Sequence, residues 1–218
     1  MMRKKHIIFD FDGTIADTIP LMRTIAQNMA DEAKSGIKIT EVEWEWVRNH
    51  KLTELPKKFG IPFYKVPGLL LQGRAKFKKL IFSVFPCRDM AEALHTLKAN
   101  GYSCAILSST SRETIQEFLL QHRLVDLFDF VHSELNLFGK DTALQALMKQ
   151  YKLKKEEVVY VGDEIRDLEA CQKINLDCIS VTWGLSSREA HEAHGAKYIV
   201  DTPQELLDIL KKLKAKSY

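Results

Sequence analysis

Two carboxylates two residues apart, Asp10 and Asp12, follow the apolar run Ile7-Ile8-Phe9 and lead directly into Gly13. An uninterrupted apolar run of this length predicts a strand covered on both faces inside a parallel sheet, with both acids at its carboxyl end. In open α/β sheets, ligands bind in the crevice beyond that end. Side chains alternate along an extended chain, so the two acids point to one side, and the glycine lets the backbone turn tightly beside them. Carboxylates this close repel one another, and a bound cation relieves the repulsion. A calcium loop of the EF-hand kind does not fit, because its glycine comes later, after alternating oxygen ligands, and no buried strand precedes it. The alternative without chemistry is that the acids end a strand and cap a helix beginning near Asp17.

Three further segments carry reactive groups. Ser103-Cys-Ala-Ile-Leu107 predicts a second strand that delivers Ser108-Ser109-Thr110 to the same crevice. Thr110 with Glu113 reads as the capping box of the next helix, whose free amides favour an anion nearby and make Ser108 a candidate phosphate ligand. Gly139-Lys140-Asp141-Thr142 puts a lysine at a helix start, where the macrodipole disfavours a cation unless a negative group compensates. It is not a Walker A loop, since Glu134 stands where the first glycine of that pattern belongs. Finally, Val158-Val-Tyr-Val161 runs into Gly162-Asp163-Glu-Ile-Arg-Asp167 and repeats the logic of the first segment. Acids four apart share one side of a starting helix, so one could bind a metal directly and the other support it. Capping explains Asp163 alone; it does not explain a second strand ending in acids.

The elements that must position these residues alternate. From about Thr18 to Phe85 the apolar spacing is helical, broken into short helices by Pro56, Gly60, Pro62, Pro67 and Gly68. Beyond Phe85 the pattern predicts helix 90–99, strand 103–107, helix 112–121, strand 130–132 and helix 142–151. It continues with strand 158–161, helix 165–174, strand 178–181, strand 198–200 and a last helix opened by Thr202-Pro203-Gln204-Glu205, a capping box with proline in the first helical position. Such alternation argues for an α/β fold with a doubly wound parallel sheet. The expected organisation is a core of residues 1–15 and 86–218, with a smaller α-helical cap, residues 16–85, inserted after the first strand. Lids of this kind exclude water and shape a substrate pocket.

Composition sets the outer bounds. A chain of 218 residues, 45% hydrophobic and 28% charged, buries a full core, and a net charge of +3 is too mild to imply a nucleic-acid partner. No apolar run approaches the roughly 20 residues that span a bilayer, and the amino-terminal residues lack a signal-peptide core, so the expectation is a cytoplasmic protein without a membrane partner. Cys87, Cys104, Cys171 and Cys178 have no CxxC spacing and read as reduced structural thiols. His191 and His194 are three residues apart where a zincin helix needs four, and read as surface residues. Trp44, Trp46, Phe59 and Phe63 are expected to pack the small core of the cap. Its basic residues, among them Arg23, Arg48, Lys51 and Arg74, read as a solvated face from which some could receive a carboxylate or second phosphate.

Taken in order, these segments resemble the four motifs of the haloacid dehalogenase superfamily over nearly the whole chain. Asp10-Phe-Asp12-Gly13-Thr14 is similar to the first motif, Ser108 to the second, Lys140 to the third and Gly162-Asp163-x-x-x-Asp167 to the fourth. The helical insertion and Val181-Thr-Trp-Gly184 resemble the phosphoglycolate phosphatase-like branch. Asp141 stands where a proline is common in the family, and Asn175 where a glycine is common. The resemblance implies Asp10 as nucleophile forming an aspartyl-phosphate, and Asp12 as acid and then base. It implies Mg2+ held by Asp10, Asp163 and the backbone carbonyl of Asp12 with support from Asp167. Gly13, Thr14, Ser108, Ser109 and Lys140 would hold the phosphoryl group. Asp12 favours phosphate over carbon–halogen chemistry. The implied substrate is a small phosphorylated metabolite such as phosphoglycolate; pyrophosphate, a sugar-phosphate mutase reaction and a non-catalytic phospho-ligand scaffold are the rival readings, and oligomeric state is unreadable.

Overall fold

The computed structural model describes residues 4–134 and 139–215. After β1 (His6–Phe9) the chain runs through α1 (Ile19–Glu32), α2 (Glu41–Arg48), α3 (Leu55–Lys58) and α4 (Val66–Leu80), then returns through α5 (Met90–Ala99) to β2 (Ser103–Ser108). From there α6 (Arg112–Gln121), β3 (Phe130–Ser133), α7 (Lys140–Gln150), β4 (Val158–Gly162), α8 (Ile165–Lys173) and β5 (Asp177–Val181) alternate. The short helix α9 (Arg188–Ala193), β6 (Tyr198–Val200) and α10 (Pro203–Ala215) close the chain.

Among the described residues the six strands of the sheet all pair in parallel, in the order β3-β2-β1-β4-β5-β6. This is a doubly wound sheet whose order reverses at β1, and the crevice beyond β1 is the place such a sheet offers a ligand. Side-chain alternation divides the core as the apolar runs require. Ile7, Phe9, Cys104, Ile106, Val159 and Val161 pack on one side with Leu94, Phe118 and Leu206 of α5, α6 and α10. Ile8, Ala105, Leu107 and Tyr160 pack on the other with Leu144 and Leu168 of α7 and α8. Each fully buried Ile, Leu or Phe contributes about 1.5–3 kcal/mol relative to exposure, so the strands beneath the site are well anchored.

Residues 16–85 leave and rejoin this core through two strands of backbone lying side by side. Asp17 N donates to Phe85 O (2.9 Å), Cys87 N donates to Ile15 O (2.8 Å), and Ala16 bridges Pro86 in antiparallel fashion. Between these crossings the buried apolar set is small: Ile25, Val47, Phe77, Ile81 and Val84. The aromatic residues expected to form that core do so only in part. Phe63 is 72% exposed, in a 3-10 turn that follows Pro62 and runs directly into α4. Trp44 and Trp46 are half-buried and face cations, Arg23 over one ring and Lys58 over the other, each at 5.2 Å.

Two other expectations are corrected. His191 is completely buried, because α9 folds back against α8, and burial lowers its pKa. The cap of α6 is Ser111, whose Oγ accepts from Thr114 N (3.3 Å), so Thr110 is not the capping residue. The four cysteines are free and buried, as structural thiols are. No helix among the described residues is long and apolar enough to cross a membrane.

Candidate active site

The carboxyl ends of β1, β2 and β4 stand in register, with Phe9 beside both Ile106 and Val161. The next residues of each strand therefore converge. Asp10, Asp12, Ser108, Asp163 and Asp167 are all buried there, and Lys140 enters from the first position of α7. That helix begins two residues earlier than its apolar pattern suggests. A cation at this end is tolerated because Lys140 Nζ donates to Asp10 Oδ2 (2.9 Å) and is paired with Asp167 as well.

Asp10, Asp163 and Asp167 each bring a carboxylate oxygen within 4.8 Å of the others. Burial pushes Asp10 up to about 7, with Lys140 opposing and Asp167 adding to the rise. Asp163 is held well above the usual carboxylate range by burial, and the negative charges of Glu164, Asp10 and Asp167 push it further the same way. Burial alone would lower Lys140, but Asp10 and Asp167 outweigh it and keep the ammonium charged. Lys140 pairs with two of the three buried acids, Asp10 and Asp167, and not with Asp163, and the surplus negative charge suits a hard divalent cation bound by oxygen.

Glycines make the crowding possible. Gly13 has φ +71°, and a Cβ there or on Gly184 would run into the Asp163 carboxyl; a Cβ on Gly162 would meet Asp167. Asp163 is also fixed by hydrogen bonds. Thr14 Oγ1 donates to its Oδ1 (2.8 Å) and Leu185 N to its Oδ2 (2.7 Å), while Trp183 Nε1 holds Thr14 O (3.1 Å). Thus the side chain of Thr14 is committed to an acid of the cluster, and the segment Thr182 to Leu185 wraps the same acid from the far side.

Asp12 lies apart from the three clustered acids. Its Oδ2 accepts from Thr110 Oγ1 (2.6 Å) and from Ser108 Oγ (3.4 Å), its buried Oδ1 has no close donor among the described residues, and the Thr18 hydroxyl acts on the carboxyl more weakly. Burial raises the Asp12 pKa and the Thr110 hydroxyl opposes that rise. Ser109 Oγ accepts from Arg166 Nη2 (3.5 Å), and Arg166 is forked onto Glu164 with two contacts of 2.7 Å. Thr110, Glu164, Arg166 and Leu185 are members of this constellation that sequence reasoning missed. The signal for Arg166 was its place between two acids of the fourth segment; Thr110 was hidden by a plausible capping role.

A cleft of about 200 Å3 opens onto Lys140, Glu164 and Arg166, and His50 and Lys51 form part of its opposite wall. Lys51 Nζ meets Glu169 on α8 at 2.6 Å, and Arg48 Nε donates to Leu185 O at 3.2 Å, so the helical segment touches the core beside the site.

Comparison with known proteins agrees with this geometry. Residues 7–181 match the model of the haloacid dehalogenase-like hydrolases. The chain belongs to that family. A phosphoglycolate phosphatase of Synechococcus elongatus is 30% identical over 209 residues, covering 95% of this chain and 97% of that protein. Pyrophosphatase PpaX of Bacillus mycoides is 29% identical over 125 residues, 56% of this chain and 58% of that protein. Among solved structures, a "predicted phosphatase" from Clostridium acetobutylicum superposes with TM-score 0.84 at 22% identity, over 97% of this chain and all of that one. At that identity the superposition speaks for the haloacid dehalogenase fold.

Proposed function

We propose that this chain hydrolyses a small phosphomonoester, phosphoglycolate or a close analogue, through an aspartyl-phosphate on Asp10. That it is a phosphatase follows from its family and its full-length relatives; substrate and mechanism are the finer reading. The observation that carries it is the pairing of two differently placed acids at one strand end. Asp10 lies among the acids and against Lys140, as a nucleophile that must meet an anionic phosphoryl group requires. Asp12, turned to a pair of hydroxyls and raised by burial, suits an acid that gives its proton to a leaving oxygen and later takes one from water.

Asp10 and Asp163 would hold Mg2+, with the backbone carbonyl of Asp12 as a further oxygen and Asp167 supporting. When bound, the cation supplies charge neutralisation that lets an anionic carboxylate approach an anionic phosphate. Lys140 disperses negative charge on the transferring oxygens. The hydroxyl of Ser108 supplies a hydrogen bond to them, whereas the amides of Gly13 and Thr14, expected to do the same, donate within the turn to Ala16 O and Thr18 Oγ1 and to Phe11 O. Residues 16–85 act as a cap over residues 1–15 and 86–218, moving about the paired crossings at Ala16 and Pro86 and keeping bulk water from the intermediate.

The test is phosphate release from phosphoglycolate, pyrophosphate, a sugar phosphate and an aryl phosphate, with Mg2+ or with EDTA. The expected result is metal-dependent release with phosphoglycolate preferred. Preference for pyrophosphate would replace the substrate reading and keep the mechanism; release unaffected by EDTA would remove the metal from it.

A further inference from the structure

Thr110 has no task in the helix that follows it. Ser111 caps α6, and Thr110 stands one residue earlier, between the end of β2 and that cap. Its backbone is pinned at both ends: Thr110 N donates to Ser108 Oγ (3.0 Å), and Thr110 O accepts from Ser133 Oγ (2.7 Å) at the end of β3. The side chain so held delivers its hydroxyl to Asp12 Oδ2 at 2.6 Å, the shorter of the two bonds that oxygen receives. The two oxygens of Asp12 are therefore unlike. Oδ2 takes two donors, the hydroxyls of Thr110 and Ser108, whereas Oδ1 is buried without a donor of comparable strength among the described residues, the Thr18 hydroxyl having only a smaller effect on the carboxyl.

That asymmetry decides where a proton can sit. A hydroxyl donating to Oδ2 favours it as the carbonyl oxygen of a protonated carboxyl group, and the acidic hydrogen is left on Oδ1. The rotation of the carboxyl about its Cβ bond is fixed by the same contact, so Oδ1 keeps one direction. Proton transfer in a transition state requires a donor within hydrogen-bond reach and correctly aimed.

We propose that Thr110 is a positioning residue for the proton transfers of Asp12, an inference that rests on the phosphatase reading above. As Asp10 Oδ forms its bond to phosphorus and the bond from phosphorus to the ester oxygen breaks, the proton on Asp12 Oδ1 passes to that oxygen, which leaves as an alcohol. In the second half, Oδ1 takes a proton from water as the water oxygen bonds to phosphorus and Asp10 departs with its electron pair.

The experiment compares leaving groups in single turnover, with enzyme in excess. Phosphoglycolate releases an alkoxide that needs a proton; 4-nitrophenyl phosphate releases a phenolate that scarcely does. Thr110→Val, which keeps the shape and removes the hydroxyl, should slow release from phosphoglycolate by about 10²-fold, the lower end of what a general acid contributes, and change nitrophenolate release less than about threefold. Thr110→Ser should restore the phosphoglycolate rate, and Thr110→Ala serves as a second hydroxyl-free variant should valine disturb the fold. Equal losses on both substrates, or no loss on either, would overturn the role of Thr110 while leaving the phosphatase reading intact. Wild-type protein that releases neither leaving group overturns both.

Discussion

The acid cluster at the sheet end and the helices of residues 16–85 are held by opposite means. At the sheet end charge is buried, the described carboxylates are fixed by named donors, and three glycines give up their side-chain space to Asp163 and Asp167. In the helical segment few side chains are fully buried, its ion pairs, such as Arg23–Glu41 and Lys38–Asp31, are exposed, and Phe63, Tyr64 and Leu71 face solvent. Surface pairs of that kind contribute little to stability. The lesson is that chemistry here is built into a rigid floor, while the part that would select substrate is loosely packed and free to change.

The most severe way to break this contrast is Asp10→Asn. On the proposed mechanism it removes the nucleophile at nearly constant volume. Turnover should fall by at least about 10⁴-fold, as when a covalent catalyst is deleted, and the thermal transition should persist because a buried, strained charge is lost rather than a packing group. Retained turnover would move the nucleophile elsewhere.

Gly184→Ala probes the floor without replacing any residue of the acid cluster. A methyl group there meets the Asp163 side chain, which is bonded to Leu185 N and Thr14 Oγ1 and cannot retreat freely. Overpacking of this kind costs about 1–3 kcal/mol, and displacement of Asp163 should also abolish the rise in melting temperature on adding Mg2+. A variant as stable as wild type and equally responsive to Mg2+ would show that the crowding is not structural.

Metal and proton compete for the same acids, which gives a signed pH dependence. Asp10 is raised to about 7 from an ordinary 3.8 in the metal-free protein, mainly by burial and against Lys140. Between those values the folded state holds a proton that the unfolded chain has released, so this group's contribution to stability falls as pH rises through the window. A bound cation removes that cost, so stabilisation by Mg2+, read as the shift in melting temperature, should be larger at about pH 8 than at about pH 5. An equal shift at both values would place the cation away from Asp10.

The doubly wound sheet and the residues at its strand ends were legible because an apolar run followed by acids and glycine carries both a fold and a chemical meaning. Lys140 was legible as a cation in an electrostatically awkward place, which the two acids beside it explain. What sequence alone did not reveal depends on contacts between distant segments. Thr110 satisfies a capping pattern that Ser111 takes instead, and only the approach of β1 to β2 exposes its bond to Asp12. His191 looked like a surface residue because the turn that folds α9 inward has no signature in a six-residue helix. The aromatic residues of the helical segment suggested a core, but Phe63 stands exposed in the 3-10 turn before α4, where no apolar periodicity marks a buried face.

Gly68 supplies the counterpart of Gly184 and the smallest effect. It lies in the first turn of α4, with nothing within 4 Å of the position a Cβ would take. Alanine there loses no contact and gains helix propensity, mainly by restricting the unfolded chain, so Gly68→Ala should stabilise by about 0.4–1 kcal/mol. Urea unfolding can read this as a higher midpoint at unchanged slope. If the helical segment is as loosely coupled to the floor as its packing indicates, the same variant should leave the Mg2+ response of the melting temperature unchanged. A change in that response would mean that the cap helices and the acid cluster are energetically joined, through the contacts of Arg48 and Lys51 with the segment that wraps Asp163 and with α8.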